Sequence, residues 1–89
     1  MEMEFDPAKN HKNIALRGLS FELAAVFDFD SALIVVDGRR NYGEVRYRAI
    51  GIRSGKVAVM VFTMRGKSLR VISLRHANRK ERERYEDNK

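Results

Sequence analysis

The sequence predicts an α+β fold, with helices first, an antiparallel sheet of hairpin-connected strands next, and one helix last. Three observations carry that expectation. Helix-start and helix-stop residues crowd the first part of the chain; from residue 33 onward, short alternating or wholly apolar runs are separated by tight turns; and a capping-box spacing opens the charged segment at the end.

In chain order, EMEFD at residues 2 to 6 alternates polar and apolar positions, as a short strand does. Asp6 followed by Pro7 marks a helix start, because the carboxylate accepts from free backbone amides and proline sacrifices no hydrogen bond at the first helical position. That helix is expected to run from Pro7 to Arg17, with Gly18 ending it in a left-handed turn. Ser20 caps a second expected helix, FELAAVF, whose Phe21, Leu23, Ala24 and Phe27 form an apolar surface to lie on a sheet. LIVVD (33 to 37) reads as extended and GRRNYG (38 to 43) as turn. EVRYRAIGI (44 to 52) alternates Val45, Tyr47 and Ala49 with Glu44, Arg46 and Arg48, the pattern of a strand with one buried face. After RSGK, VAVMVFTMR (57 to 65) is almost wholly apolar, as in a central strand covered on both sides. RGK then turns the chain into SLRVISLR (68 to 75), which pairs back to complete a meander. Asn78 and Glu81 open a last helix over 79 to 86, which leans on the sheet through Tyr85 and its arginine stems.

A chain of 89 residues, 44% hydrophobic, suits a single domain over 1–89 with one core. No stretch approaches the roughly 18 apolar residues of a membrane span. The start MEMEFD is acidic and lacks the basic and apolar regions of a signal peptide, so a cytoplasmic location with no membrane partner is expected. With no cysteine and two distant histidines, neither a metal site nor a cofactor is expected, and there is no glycine-rich phosphate loop or nucleophile triad.

The formal net charge of +6 is unevenly distributed. Residues 1 to 37 carry Lys9, Lys12 and Arg17 against seven acidic residues, whereas residues 38 to 85 carry fourteen basic residues against Glu44, Glu81 and Glu83. Such polarity in a small domain points to a basic face for nucleic acid or an acidic protein. If the meander strands are neighbours, the face of Glu44, Arg46 and Arg48 is shared with Thr63, Arg65, Ser73 and Arg75, and His76 and Arg79 sit at its rim. Clustered guanidiniums repel, and Glu44 alone does not neutralise them; a phosphate backbone does. Tyr47 belongs with the core on its apolar face, while an exposed Tyr42 or Tyr85 could stack on an unpaired base. Taken singly, any one of these arginines is as readily an ordinary solvent-facing residue, and His11 is surface.

The segments FDPAKNHKN, RGLSFELA, EVRYRAIG, VFTMRG, LRVISLR and ERERYE, in that order, resemble the BrnT family of bacterial toxins over nearly the whole chain. The resemblance implies a RelE-like fold with two helices before the sheet and one after it. It implies a ribonuclease that arrests translation and is neutralised by BrnA, a ribbon-helix-helix antitoxin, in a hetero-oligomer, such as 2:2, that contacts DNA only through the antitoxin. The family's recurrent polar positions fall on Lys9, Asn13, Glu44, Arg46, Thr63, Arg65, Arg70, Ser73, Arg75, Glu81 and Tyr85. Two positions depart: Leu16-Arg17-Gly18 stands where the family has Lys-His-Gly, removing a histidine available for proton transfer, and Phe5 stands where tryptophan is frequent.

The chemistry expected is metal-independent RNA cleavage by attack of a 2′-hydroxyl on the adjacent phosphate. Arg46, Arg65 and Arg75 are the candidate phosphate ligands, and Glu44, His76 and Glu81 the candidate proton carriers. Lys9, Asn13, Arg48, Thr63, Arg70, Ser73, Arg79 and Tyr85 are candidate RNA contacts. The alternative is a non-catalytic relative that keeps only RNA binding or the antitoxin-binding surface, and Leu16-Arg17 is the feature in its favour.

Overall fold

In the computed structural model, which describes residues 2 to 88, five strands form one sheet. They are β1 (Glu2–Glu4), β2 (Leu33–Val36), β3 (Tyr47–Arg53), β4 (Lys56–Arg65) and β5 (Ser68–His76), in the order β1-β5-β4-β3-β2. From β2 to β5 the pairing is antiparallel, as the turn signals predict. β1 departs from the expected all-antiparallel sheet: it lies parallel to β5, with Glu2 opposite Ser68 and Glu4 opposite Arg70, so the sheet is mixed. Three residues carry too little pattern to reveal a partner so distant in sequence. Contacts across the ladder hold the pairing, Ser68 Oγ donating to the Glu2 carboxylate at 3.3 Å and Arg70 lying 3.6 Å from Glu4.

Helix α1 (Pro7–Arg17) has the predicted ends. Asp6 Oδ1 accepts from Ala8 N at 2.9 Å, and Gly18, at φ +72°, donates back to Ile14 O at 2.8 Å. The expected second helix is instead a 3-10 helix, Phe21–Val26. Its tighter winding aligns every third residue, which turns Phe21, Ala24 and then Phe27 onto the sheet together; all three are buried. Phe27 then leaves the helix to form a β-bridge with Arg53. Its ring lies so close to β3 that a Cβ on Gly51 would meet Phe27 Cζ at 2.8 Å.

The sheet separates two apolar layers. On one face Leu19, Phe21, Ala24 and Phe27 pack on Ala49, Met60, Phe62, Leu69, Val71 and Leu74, with Tyr47 stacked on Phe62 as the strand pattern predicts. On the other, Ala77, just before α2 (Arg79–Asp87), and Tyr85 within it cover Ile50 and Val59. Its capping box is present: Asn78 Oδ1 accepts from Glu81 N, and the Glu81 carboxylate accepts from Asn78 N, both at 2.9 Å. Burying the Tyr85 ring contributes about 2 kcal/mol, more than pairs such as Arg79–Glu83 at 3.1 Å can supply. Between Val61 and Phe62 the β4–β5 register shifts by one; Val61 faces Ser73, Phe62 faces Val71, and Ile72 has no opposite residue.

Candidate functional site

Helix α2 covers one end of its sheet face and leaves the other end to polar side chains. Residues opposed in an antiparallel ladder share a face, and the register aligns Arg48 with Val61 and Ser73, Val59 with Arg75, Thr63 with Arg70, and Arg65 with Ser68. Glu44 and Arg46 precede β3, which begins at Tyr47 instead of the expected residue 44. They are nevertheless anchored to the sheet. Asp37 N donates to Arg46 O at 2.7 Å, extending the β2–β3 ladder, and Thr63 Oγ1 donates to Val45 O at 2.6 Å, tying the loop to β4.

The face is a lattice of guanidiniums and carboxylates. Glu44 lies between Arg46 at 3.2 Å and Arg65 at 3.6 Å. The Arg46 guanidinium also stacks on the Tyr42 ring, 4.0 Å from its centroid. Asp37, its side chain only 1% exposed, accepts a two-pronged contact from Arg39 at 2.8 and 2.9 Å and a bond from Tyr42 Oη at 3.3 Å. The bond from Arg39 is the main reason its pKa falls from 3.8 to about 2. Arg75 grips Glu81 through both oxygens, at 2.7 and 2.8 Å. That bond, helped by the Asn78 backbone and the nearby charge of Arg48, holds Glu81 down at about 2 and raises Arg75 in turn. Arg48 Nε is buried with no hydrogen-bond partner.

The counter-charge is therefore richer than expected from Glu44 alone. Glu4, Asp37 and Glu81 also pair with arginines, so the guanidiniums of Arg39, Arg46, Arg48, Arg65, Arg70 and Arg75 face four carboxylates. The face is held in shape by its own carboxylates and keeps a positive surplus. Fixed donors of this kind bind an anion with little reorganisation.

The structure gathers Glu44, Arg46, Arg48, Arg65, Arg70, Ser73, Arg75 and Glu81 on this side of the sheet. Other candidates are differently placed. Tyr85, 2% exposed, has its hydroxyl 3.0 Å from Ser31 Oγ; it anchors α2 and offers no ring for a base to stack on. Asn13 is buried beside the edge of β5, its amide donating to Leu19 O and Leu74 O at 2.8 Å and accepting from Leu74 N at 3.3 Å. Thr63 is buried too, its hydroxyl spent on Val45 O. Lys9 is exposed on α1, and Arg79 is exposed at the start of α2. His76 stands opposite Ala58 and so projects to the other face from Arg75. The two residues meet only at the strand end, where a hollow of about 410 Å³ is lined by Leu16, Arg17, Arg75, His76, Ala77 and Asn78.

Sequence reasoning missed Asp37, Arg39 and Tyr42 as parts of the lattice. A signal was present: Asp37 continues the parity of Leu33 and Val35, so it had to share the face of Arg48, and Arg39 follows two residues later. Among the described residues no group of three or more His, Cys, Asp or Glu side chains is arranged to hold a metal ion. No described helix is long and apolar enough to cross a membrane.

Fold and face together define a small α+β protein that presents a prearranged guanidinium surface on one side of its sheet. The family model described as "Ribonuclease toxin, BrnT, of type II toxin-antitoxin system" matches residues 5–81. The chain belongs to this BrnT family of ribonuclease toxins, whose type II systems pair each toxin with a protein antitoxin. No curated protein matches the chain.

Proposed function

We propose that this toxin is a metal-independent endoribonuclease with a RelE-like fold that acts in the cytoplasm, cleaves messenger RNA and thereby stops translation. Its antitoxin is then a BrnA-like ribbon-helix-helix protein that binds it in a hetero-oligomer. The observation that carries the catalytic reading is the row of guanidiniums on one sheet face, of which Arg46, Arg65, Arg70 and Arg75 are each held by a carboxylate. Arg46 and Arg65, which share Glu44, bind the scissile phosphate and stabilise the charge that grows as the ribose 2′-oxygen attacks phosphorus and the 5′-oxygen departs; Arg75, opposite Val59 and so about 20 Å along the ladder from Arg65, binds a neighbouring phosphate. Arg48, Arg70, Ser73 and Arg79 track the neighbouring backbone. Glu44, beside Arg46 and Arg65, takes the 2′-hydroxyl proton, whereas His76 projects to the other face of the sheet. Glu81 is unsuited to that step: a carboxylate held near 2 is a weak base, and its pairing with Arg75 makes it a positioning residue.

The test is incubation of the full chain, free of antitoxin, with labelled RNA in EDTA. The parent is expected to produce discrete fragments. Arg65→Ala should slow cleavage by about 100-fold or more, the usual loss for one preorganised donor. Arg65→Ala cleaving at the parental rate would remove that residue from the mechanism. Fragments that form only when a divalent cation is added would end the metal-independent reading.

A second reading, a toxin relative that binds without cutting, draws on the strand-end hollow. There Arg17, where the family has histidine, lines the same space as His76 and Arg75. The same gel separates the two: Arg17→His should speed cleavage if that hollow serves proton transfer.

A further inference from the structure

The two outer edges of the sheet are treated differently. β1 is three residues long and carries Glu2 and Glu4. Beyond its end, the open backbone of Leu74 in β5 is bonded at both N–H and C=O by Asn13, so that edge offers little to an incoming strand. β2, LIVV, has no charge, proline or bulge. The bond from Asp37 N to Arg46 O sets the ladder phase: Leu33 and Val35 pair with β3, and Ile34 and Val36 direct their N–H and C=O groups away from the sheet. Among the described residues nothing bonds to those outward groups. Ile34 and Val36 are also 43% and 64% exposed. An apolar, unpaired edge of this kind is a template for another strand.

The charges flanking β2 indicate which strand. Exposed Asp28 and Asp30 precede it; exposed Arg39 and Arg40 follow it. An antiparallel copy of the same strand, with Val35 on the two-fold axis, sets Ile34 opposite Val36 of the second copy. By symmetry it sets Val36 opposite Ile34 of that copy. The outward backbone groups of both residues then meet in register, and the four apolar side chains lie together. Asp30 comes against Arg40 of the second copy at each end. We propose that this toxin self-associates by pairing β2 with β2 of a second copy, joining two sheets into one. The inference is independent of the ribonuclease reading. The pair buries Ile34 and Val36 on the side of the sheet that carries the 3-10 helix, leaving the arginine face of both copies open.

Sedimentation velocity on the full chain, free of antitoxin, is the first arm of the test. The parent is expected to shift from monomer to twice the monomer mass as concentration rises, and Val36→Lys to remain monomeric with its fold intact by circular dichroism. Thiol trapping is the second arm, in a chain that has no cysteine of its own. Across the axis the Val35 positions form a non-hydrogen-bonded pair with Cα atoms about 4.5 Å apart, within the span of a disulfide. Val35→Cys should therefore oxidise to a covalent dimer at least about tenfold faster than Leu16→Cys, an exposed thiol on α1 that meets its copy only by collision. A parent that stays monomeric at every concentration, or equal oxidation rates for the two thiols, overturns the proposal. So does exchange protection of the Ile34 and Val36 amides that arises only on adding antitoxin, which would assign the edge to that partner.

Discussion

Tyr85 and Glu81 show how polar residues of one helix can be spent on holding the fold. Both lie in α2 and both match recurrent family positions, yet the ring is buried and the carboxylate is clamped by Arg75. Tyr85→Phe should lower stability by about 1 kcal/mol, the worth of one hydrogen bond, and leave RNA affinity unchanged. Thermal melts with RNA-binding titrations check this; a large loss of affinity in a well-folded Tyr85→Phe would return the ring to the binding surface. Asp37 and Glu81 also set the acid limit of the fold. Both are held near 2 in the folded chain, below ordinary values of 3.8 and 4.5, so the unfolded chain binds more protons over that interval. Their contribution should be complete above about pH 5 and decline as pH falls toward 2. Glu81→Gln is expected to flatten that decline in an acid titration followed by circular dichroism. These partnerships were only half legible. Charge type and parity placed the arginines on one face, but which carboxylate Arg39, Arg46 and Arg65 meet depends on the course of the turn over 38–43, where no alternation exists to read.

At the scale of elements, local signals served where a segment's own chemistry decides its form. The Asp6–Pro7 start and Gly18 stop of α1, the capping box of α2 and the three-strand meander all follow from nearby residues. They were insufficient where a distant contact decides. The segment after Ser20 winds as a 3-10 helix because Phe27 must reach Gly51, and β1 finds its partner only when the chain returns at residue 68. Asn13 is the sharpest case, since a polar helical residue resembles a surface contact until the backbone of Leu74 is beside it. Asn13→Ala would leave that backbone pair and Leu19 O without their amide partner. With about 1–3 kcal/mol for a single unsatisfied buried group, a loss of about 3 kcal/mol is expected. Urea unfolding measures it. A change below half that size would show that water replaces the amide readily.

For the whole molecule, the sheet divides the labour: one face makes the main core, and the other is shared between α2 and the arginines. If the open part of that second face binds RNA, affinity should fall with salt at about −0.7 in log–log slope per phosphate neutralised on a single strand. Arg65→Ala should reduce the slope by about that amount in fluorescence anisotropy titrations; an unchanged slope would place Arg65 off the RNA path. This division depends on the unopposed Ile72. Arg75 and Ser73 occupy odd positions of β5, whereas Arg70 and Ser68 occupy even ones, yet all four lie on the same face because the bulge falls between the two sets. The strand is thus written in two reading frames, and Ile72 is the character that joins them. Drawing Ile72 into the regular ladder would act as a spatial frameshift: with the Arg75 end held, Arg70 would turn inward and Leu69 outward, although every side chain that carries the chemistry would still be encoded; deleting Ile72 would instead leave all four on their face.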